Sequence, residues 1–200
     1  FFPFLIALLF TLACKKNEAI KTKEVQVELS FDAYEADWEE IEKLEKKGLG
    51  KSVIDQTNYI LKKALAENNV NQVFKALTYR SKYLQQIEED AAFKIITAFE
   101  QQIDSAGFPL KQLLHSATAQ LYEQYYQQNL YRFSGRTNVE NSNSDDLRTW
   151  SLTQILNRID FHFQASLSEQ TELAELPIAY LKPIIQNPKD SNLLSEAFNL

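Results

Sequence analysis

Residues 70–104 read VNQVFKALTYRSKYLQQIEEDAAFKIITAFEQQID. Apolar side chains recur there every three or four residues in two series, and the acidic run Glu88-Glu89-Asp90 separates the series. That spacing places each series on one face of an α-helix, and carboxylates favour a new helix start because they complement the positive end of the helix dipole. The series are Val70, Val73, Phe74, Leu77, Leu84 and Ile87, then Ala92, Ile95, Ile96, Phe99 and Ile103. We therefore predict two amphipathic helices that a very short joint makes antiparallel neighbours.

Such a helix hairpin cannot cover both of its apolar faces, so similar hairpins must pack before and after it. The neighbouring segments have the same helical spacing, and hairpins restart about every forty residues, near Tyr34, Val70 and Leu110. The predicted fold is all-α, with antiparallel hairpins stacked as a tetratricopeptide-like or other helical solenoid. The tetratricopeptide consensus itself is not readable in the chain.

Stop signals divide the predicted helices. Gly48-Leu49-Gly50 is expected to end the first helix, and Asn68-Asn69 to end the second, because Gly and Asn adopt the left-handed conformation most readily. Gly107-Phe108-Pro109 separates the fourth helix from the fifth, with Gly past one helix end and Pro opening the next helix. The fifth stripe is Leu110, Leu113, Leu114, Ala117, Leu121 and Tyr125.

The polar segment 134–146 is predicted to be a loop, because it contains little that could be buried. A sixth helix is predicted from Asp146 to about Leu167. Its apolar stripe is Trp150, Leu152, Ile155, Leu156, Ile159 and Phe163. After Ser168 the prolines allow only short helical turns.

Composition narrows the function classes. The 200 residues carry 21 basic and 27 acidic side chains, a net charge of −6, and the pI is about 5.1. No basic field therefore favours nucleic acid or an anionic membrane surface. The chain lacks Met and begins inside an apolar run, so we expect it to be a fragment that is cut at both ends.

The apolar run Phe1–Ala13 has the length of a signal-peptide core and is too short to span a bilayer as a mature helix. It ends at Cys14, the only cysteine, and Leu12-Ala13-Cys14 resembles the bacterial lipobox, with Thr11 where the usual pattern has Leu. We predict lipidation of Cys14 rather than a chance Cys or an ordinary buried thiol. One cysteine also leaves no disulfide and no Cys-based metal site.

The predicted domain organisation follows from this run. Residues 1–13 form a lipoprotein signal peptide that is truncated at its start, and residues 14–30 form a polar tether. Residues 31–200 form the helical hairpin domain, which is expected to be cut at its C-terminal end.

No constellation of catalytic residues stands out. His115 and His162 lie beside apolar positions on different predicted helices, where a histidine at the edge of the core is a better interpretation than a metal ligand. Paired carboxylates such as Glu39-Glu40 fall on faces that should be solvated, and glycine-rich phosphate loops are absent from the sequence. We predict a non-catalytic protein with no metal site and no cofactor.

An aromatic cluster crowds the end of the fifth helix and the loop after it. Its members are Tyr122, Tyr125, Tyr126, Tyr131 and Phe133. These rings are the candidate binding surface, since tyrosines lining a groove can hold a sugar or an extended peptide. The alternative is that they pack the last hairpin against Trp150 and Phe161, which we favour because aromatic faces at helical spacing are usually core.

A series of short motifs then gives a family resemblance. In order along the chain, they are Tyr34-Glu-Ala-Asp-Trp38, Leu44-Glu-Lys-Lys-Gly-Leu49 with Lys51-Ser52, Ala66-Glu-Asn-Asn69, Lys75-Ala-Leu-Thr-Tyr79, Gln86-Ile-Glu-Glu-Asp90, Leu114-His-Ser116, Gln124-Tyr-Tyr-Gln-Gln-Asn129 and Asp145-Asp-Leu-Arg-Thr-Trp150. From about Tyr34 to Leu181, the chain resembles the helical amino-terminal region of the alpha-2-macroglobulin-like lipoproteins of Bacteroidetes-type bacteria. Each motif alone is weak, whereas their order and spacing are specific.

The resemblance implies a lipid-anchored protease trap of the bacterial envelope, with macroglobulin β-sandwich domains beyond Leu200. Its partners would be the membrane, through the lipid on Cys14, those downstream domains, and proteases or envelope proteins. Nothing in the chain matches a Cys-Gly-Glu-Gln thioester, so no inhibitory residue is carried over. Lys15 after the cysteine implies sorting to the outer membrane. The helical part would space the trap from the membrane or dock a partner.

A hypothesis from another class is a glycan- or peptide-binding outer-membrane lipoprotein with a tetratricopeptide-like scaffold. Surface aromatics around Tyr126 and Tyr131 would favour it. An enzyme would need catalytic residues outside this sequence.

Overall fold

The computed structural model describes residues 33–134 and 146–177, together with residues 180, 181 and 184. Within these ranges the chain forms eight α-helices and one 3₁₀ turn, and no β-strand. The helices are α1 (33–46), α2 (Gly50–Ala66), α3 (Val70–Ile87), α4 (Ala91–Ser105), α5 (Leu110–Gln128), α6 (Leu130–Ser134), α7 (Leu152–Ser166) and α8 (Gln170–Glu175). The predicted all-α class is confirmed.

Several predictions fall outside the described residues: the signal peptide, the lipidation of Cys14, the polar tether and the loop before Asp146. Among the helices that are described, none combines the length and the apolar character needed to cross a bilayer.

Two joints of the same design connect the first three helices. Gly48 and Asn68 both adopt positive φ angles, 69° and 53°. The Leu49 amide donates to the Leu44 carbonyl at 3.1 Å, and the Asn69 amide donates to the Ala64 carbonyl at 2.9 Å. These are Schellman motifs, in which a left-handed residue lets the chain satisfy the last carbonyls of one helix before the next helix starts. Both stops lie where the sequence predicts them.

The short joints reverse the chain direction. Lys63, near the end of α2, donates to Asp37 near the start of α1 at 2.8 Å. A Cβ on Gly50, at the start of α2, would lie 3.6 Å from Tyr83 and Ile87 at the end of α3. α1 and α2 are therefore antiparallel, and so are α2 and α3.

Among helices α2 to α8, the most extensive pairs are α2 with α3 and α5 with α7, while α4 contacts α5 and, less extensively, α3. The hairpin predicted between α3 and α4 is present, but it is not the tightest pair. Beyond α8 the chain comes back to the start of α3, where the Asn71 side-chain amide donates to the Tyr180 carbonyl at 2.8 Å. Ile184 packs against the core.

Polar side chains enter the core by bonding to their own helix. Four buried hydroxyls donate to the carbonyl four residues earlier, at 2.7 to 2.9 Å. They belong to Thr57, Thr78, Ser81 and Thr118. A hydroxyl satisfied in this way adds little bulk and leaves no unpaired polar group, so neighbouring helices can approach closely.

The sixth predicted helix is wrong at its start. Residues Leu147–Thr149 form a 3₁₀ turn, and the Asp146 carboxylate accepts a hydrogen bond from the Arg148 amide at its beginning. The α-helix begins at Leu152 because Ser151 caps it in a reciprocal capping box with Gln154. The spacing of apolar residues gives no indication of this cap.

The predicted buried faces also need correction in places. On α7, Leu156 and Phe163 are exposed, whereas Ile155 and His162 are buried. On α3, Ile87 is exposed although its spacing assigned it to the core. Ile87 is the last residue of α3.

Gly48 offers a test of the joint design. Substitution Gly48→Ala should lower the free energy of unfolding by about 1 kcal/mol, because an L-residue is strained at positive φ. Gly107→Ala is the matched control, since its φ is not positive and a Cβ meets nothing within 4 Å at either site. Urea denaturation of both variants measures the difference. Equal effects would show that the left-handed residue does not matter to the joint.

Candidate functional site

The five aromatic residues predicted as a binding surface differ in exposure. Tyr122, Tyr125 and Phe133 are buried, and Tyr126 is partly buried. Tyr131 is 93% exposed. The Phe133 ring on α6 lies 6.3 Å from the Tyr125 ring and 5.9 Å from the Tyr126 ring on α5, centroid to centroid. Four of the five residues thus contribute to packing, and ligand binding at this surface stays a prediction.

Tyr122 connects these aromatic residues with the polar part of the core. Its ring stacks on Trp150 at 5.9 Å with an interplanar angle of 10°, and on His162 at 5.6 Å with an angle of 28°. Phe161 is half exposed and meets the rings of His115 and His162 edge-on, at 5.9 and 5.1 Å. The aromatic residues therefore surround a pair of buried histidines.

We call the polar group at this place the Glu100 cluster. It comprises Glu100 on α4, His115 and Tyr122 on α5, and Arg158 and His162 on α7. Residues 115 and 122 are seven apart, and residues 158 and 162 are four apart, so each pair lies on one face of its helix. Three helices thereby direct polar side chains to one point.

The Glu100 carboxylate is the centre of the cluster. Its Oε1 atom accepts hydrogen bonds from the Tyr122 hydroxyl at 2.9 Å, from Arg158 Nε at 3.0 Å and from Arg158 Nη2 at 2.5 Å. Burial raises the pKa of Glu100, but the neighbouring His162, the bonds and charge of Arg158 and the Tyr122 hydroxyl outweigh burial and lower that pKa to about 2. The carboxylate is therefore ionised at neutral pH.

The two histidines form a direct pair. His115 Nδ1 and His162 Nδ1 lie 2.9 Å apart, and the residues are 5% and 1% exposed. One nitrogen must donate and the other must accept, so a single proton bridges the rings. His162 Nε2 faces Glu100 Oε1 at 3.5 Å, beyond an ordinary hydrogen bond.

The environment of His115 disfavours its charged form. Burial is the main cause, and the charges of His162, Lys111 and Arg158 add to it, so the pKa of His115 falls to about 4. Tyr122 shifts in the other direction, since burial and the Glu100 charge raise the pKa of its hydroxyl. At neutral pH the cluster therefore holds neutral His115 and Tyr122 beside the Glu100–Arg158 ion pair.

This arrangement is suited to joining helices. Its polar atoms face each other, and the two histidine rings and Tyr122 are too buried to meet a substrate. A cleft of about 180 Å³ lies elsewhere, between the α2–α3 and α4–α5 joints, with Leu65, Val73 and Phe108 in its wall. Among the residues that the structure describes, no three His, Cys, Asp or Glu side chains are grouped so that they could hold a metal ion.

Sequence reasoning placed both histidines at the core but missed their pairing and the roles of Glu100 and Arg158. A signal was available for Glu100, since this acidic residue lies one helical turn from both Ile96 and Ile103, which are buried. The signal for the histidine pair was absent, because nothing in the sequence tells which helix packs on α5.

Comparisons with protein-family models, with curated proteins and with solved structures found no match to this chain.

Substitution Glu100→Gln should lower the free energy of unfolding by about 2 kcal/mol. It leaves Arg158 without its counter-charge, a loss that costs about 3–5 kcal/mol for fully buried pairs. Here the Arg158 side chain is 37% exposed, which reduces the effect. Glu123→Gln on the exposed face of α5 is the control. Equal midpoints in urea for the two variants would contradict the central role of Glu100.

Acid should destabilise the protein in two windows. The native pKa of His115, about 4, lies below its ordinary 6.5, so the folded state binds fewer protons and stability falls as the pH drops from 6.5 to 4. Glu100, at about 2 against 4.5, adds a second loss between pH 4.5 and 2. Urea unfolding at a series of pH values measures both. His115→Phe should flatten the upper window only, and an unchanged slope there would refute this assignment.

Proposed function

We propose that this chain is the non-catalytic helical module of a lipid-anchored, alpha-2-macroglobulin-like endopeptidase inhibitor of the bacterial envelope. The module spaces the protease trap from the membrane or docks a partner. The observation that carries the proposal is the ordered motif series from Tyr34 to Trp150, whose members from Tyr34 to Asn129 fall along the consecutive helices α1 to α5, which short joints connect.

Motifs that are distant in sequence meet in space. The Trp38 indole N–H donates to Gln72 Oε1 at 2.7 Å, and its ring centroid lies 5.0 Å from that of Tyr79. Lys75 Nζ lies 4.0 Å above the Trp38 ring. The motif that ends at Trp38 thus packs on the motif that runs from Lys75 to Tyr79. Such contacts support the interpretation of the motifs as the packing signature of one helical unit.

The motif around Glu67 belongs to the same contact. The Tyr34 hydroxyl donates to Glu67 Oε2 at 2.6 Å, and Lys63 Nζ lies 4.3 Å from the centre of the Tyr34 ring. Both aromatic residues of the first motif therefore fix α1 against the helices that follow. A motif whose residues hold helices together contributes to the scaffold, and in the proposed protein other domains inhibit the proteases.

The Glu100 cluster supports the non-catalytic part of the proposal. Glu100 and Arg158 pair with each other, the two histidines pair through their Nδ1 atoms, and the histidine rings are almost completely buried. In the proposed protein, a lipid on Cys14 holds the chain at the membrane and residues 14–30 form the tether. Inhibition of proteases is assigned to macroglobulin domains beyond Leu200.

The coding sequence after the codon for Leu200 tests this proposal directly. We expect several hundred further residues with the period-two alternation of β-sandwich strands. A Cys-Gly-Glu-Gln motif there would identify a thioester-bearing trap. A stop codon soon after, or further helical periodicity alone, would refute the macroglobulin assignment.

The isolated chain provides the complementary measurement. Mixed with trypsin-like and subtilisin-like endopeptidases, it should leave their cleavage of a protein substrate unchanged. Potent inhibition by this chain alone would overturn its role as spacer or docking module.

A second candidate is a glycan- or peptide-binding outer-membrane lipoprotein. The observation that favours it is the exposure of the Tyr131 ring on α6, two residues before the buried Phe133. A short, wholly helical continuation of the coding sequence would favour this candidate over the first.

A further inference from the structure

α7 is attached to the rest of the protein through few buried side chains. Ile155 and His162 are the two buried residues among its 15, whereas α3 buries ten of its 18. Leu156 and Phe163 on α7 stay exposed. Among helices α2 to α8, the principal neighbour of α7 is α5, where His162 meets His115. The attachment of α7 therefore depends to a large extent on one titratable contact.

The contact between the two histidines is favourable in one protonation state. Their Nδ1 atoms lie 2.9 Å apart, a distance that requires one proton between them. A second proton places two N–H groups, and two positively charged rings, against each other. Water cannot relieve this repulsion in place, because both rings are almost completely buried. The pair must then separate, and its separation moves α7 away from α5.

The charged groups around the pair do not offset a second proton. The titratable side chains that act on the pair are Glu100 from α4, Lys111 and Tyr122 from α5, and Arg158 from α7. Glu100 faces His162 rather than His115, and it is already paired with Arg158. Burial is the main cause of the low pKa of His115, and the charges of His162, Lys111 and Arg158 lower that pKa further. A positive charge on His115 therefore meets other cations in a site that excludes water.

Mild acid acts on this contact selectively. His115 and His162 are the only two histidines of the chain, and histidine is the side chain whose charge ordinarily changes between pH 8 and pH 5. The packing of α1 on α3 uses a different kind of contact, since Trp38 donates to Gln72 and its ring lies against Tyr79. Protonation of histidine thus weakens the α5–α7 contact and leaves the packing of α1 on α3 unchanged.

We propose that α7 is an acid-released helix, which a second proton in the His115–His162 pair detaches from α5 while α1 to α5 stay packed. Release uncovers the face of α5 that carries His115 and Tyr122, and the side of α7 that carries Ile155, all of which are buried at neutral pH. An aromatic and apolar surface thus becomes accessible in acid, and it is covered again when the pH rises.

The experiment is hydrogen exchange of the full chain at pH 7 and at pH 5, with each amide rate corrected for its intrinsic pH dependence. The opening constant of α7 should rise about 20-fold from pH 7 to pH 5, because released His115 returns from a pKa of about 4 to its ordinary 6.5 and takes up a proton. α7 should also open more readily than α3 at both pH values, since it detaches while α3 stays packed.

His115→Gln should lose most of this rise, because a glutamine amide can bond to His162 but does not take up a proton. Glu123→Gln, on the exposed face of α5, is the matched control and should keep the rise. A rise that persists in His115→Gln overturns the proposal. So does equal protection of α7 and α3 at pH 5, since that result means that the chain opens only as a whole.

The two tryptophans of the wild type give a second measurement, which does not depend on the folding of His115→Gln. Trp150 lies two residues before α7 and stacks on Tyr122, whereas Trp38 packs on α3. With fluorotryptophan at both positions, Trp38→Phe assigns the two ¹⁹F signals. On acidification the Trp150 signal should change at a higher pH than the Trp38 signal. Coincident changes of the two signals refute the local release of α7.

Discussion

The burial of α3 is the constraint on which the rest of the structure depends. Ten of its 18 residues are buried, far more than one apolar stripe provides. A helix covered so completely cannot be stable with one neighbour, so the chain must supply helices on several sides. α1 and α2 cover it from the N-terminal direction, and α4 and α5 cover it from the other. The short joints make this possible, because each joint reverses the chain and places the next helix against the one before it.

Polar side chains are buried in this interior in two ways, which differ in how many helices must supply their hydrogen-bond partners. Four buried hydroxyls form hydrogen bonds within their own helices and need no partner on a neighbouring helix: those of Thr57, Thr78, Ser81 and Thr118. The Glu100 cluster instead needs three helices in register, since its partners come from α5 and α7. The first kind permits close packing, whereas the second kind selects one arrangement of helices over others, as satisfied polar networks do.

The sequence predicts where the helices are better than it predicts which helices pack against each other. Apolar spacing identifies α2 to α5, and Gly48 and Asn68 mark joints, because these signals are local and have a direct conformational cause. The start of α7 was missed because a cap formed by Ser151 and Gln154 leaves the apolar period unchanged. The Glu100 cluster was missed for a different reason. It exists only once α4, α5 and α7 are packed, and single-sequence periodicity gives no information on which helices meet.

The hydrogen bond from Asn71 to the Tyr180 carbonyl joins residues 109 positions apart. In an open array of hairpins, each unit touches only the next, and the terminal unit can fray while the others stay folded. Here the segment after α8 is held to the start of the central helix, so its loss exposes a residue near the middle of the array. This contact ties the segment after α8 to α3 as well as to its neighbours in sequence. Such a contact favours joint unfolding of α3 and the segment after α8 over fraying of that segment alone.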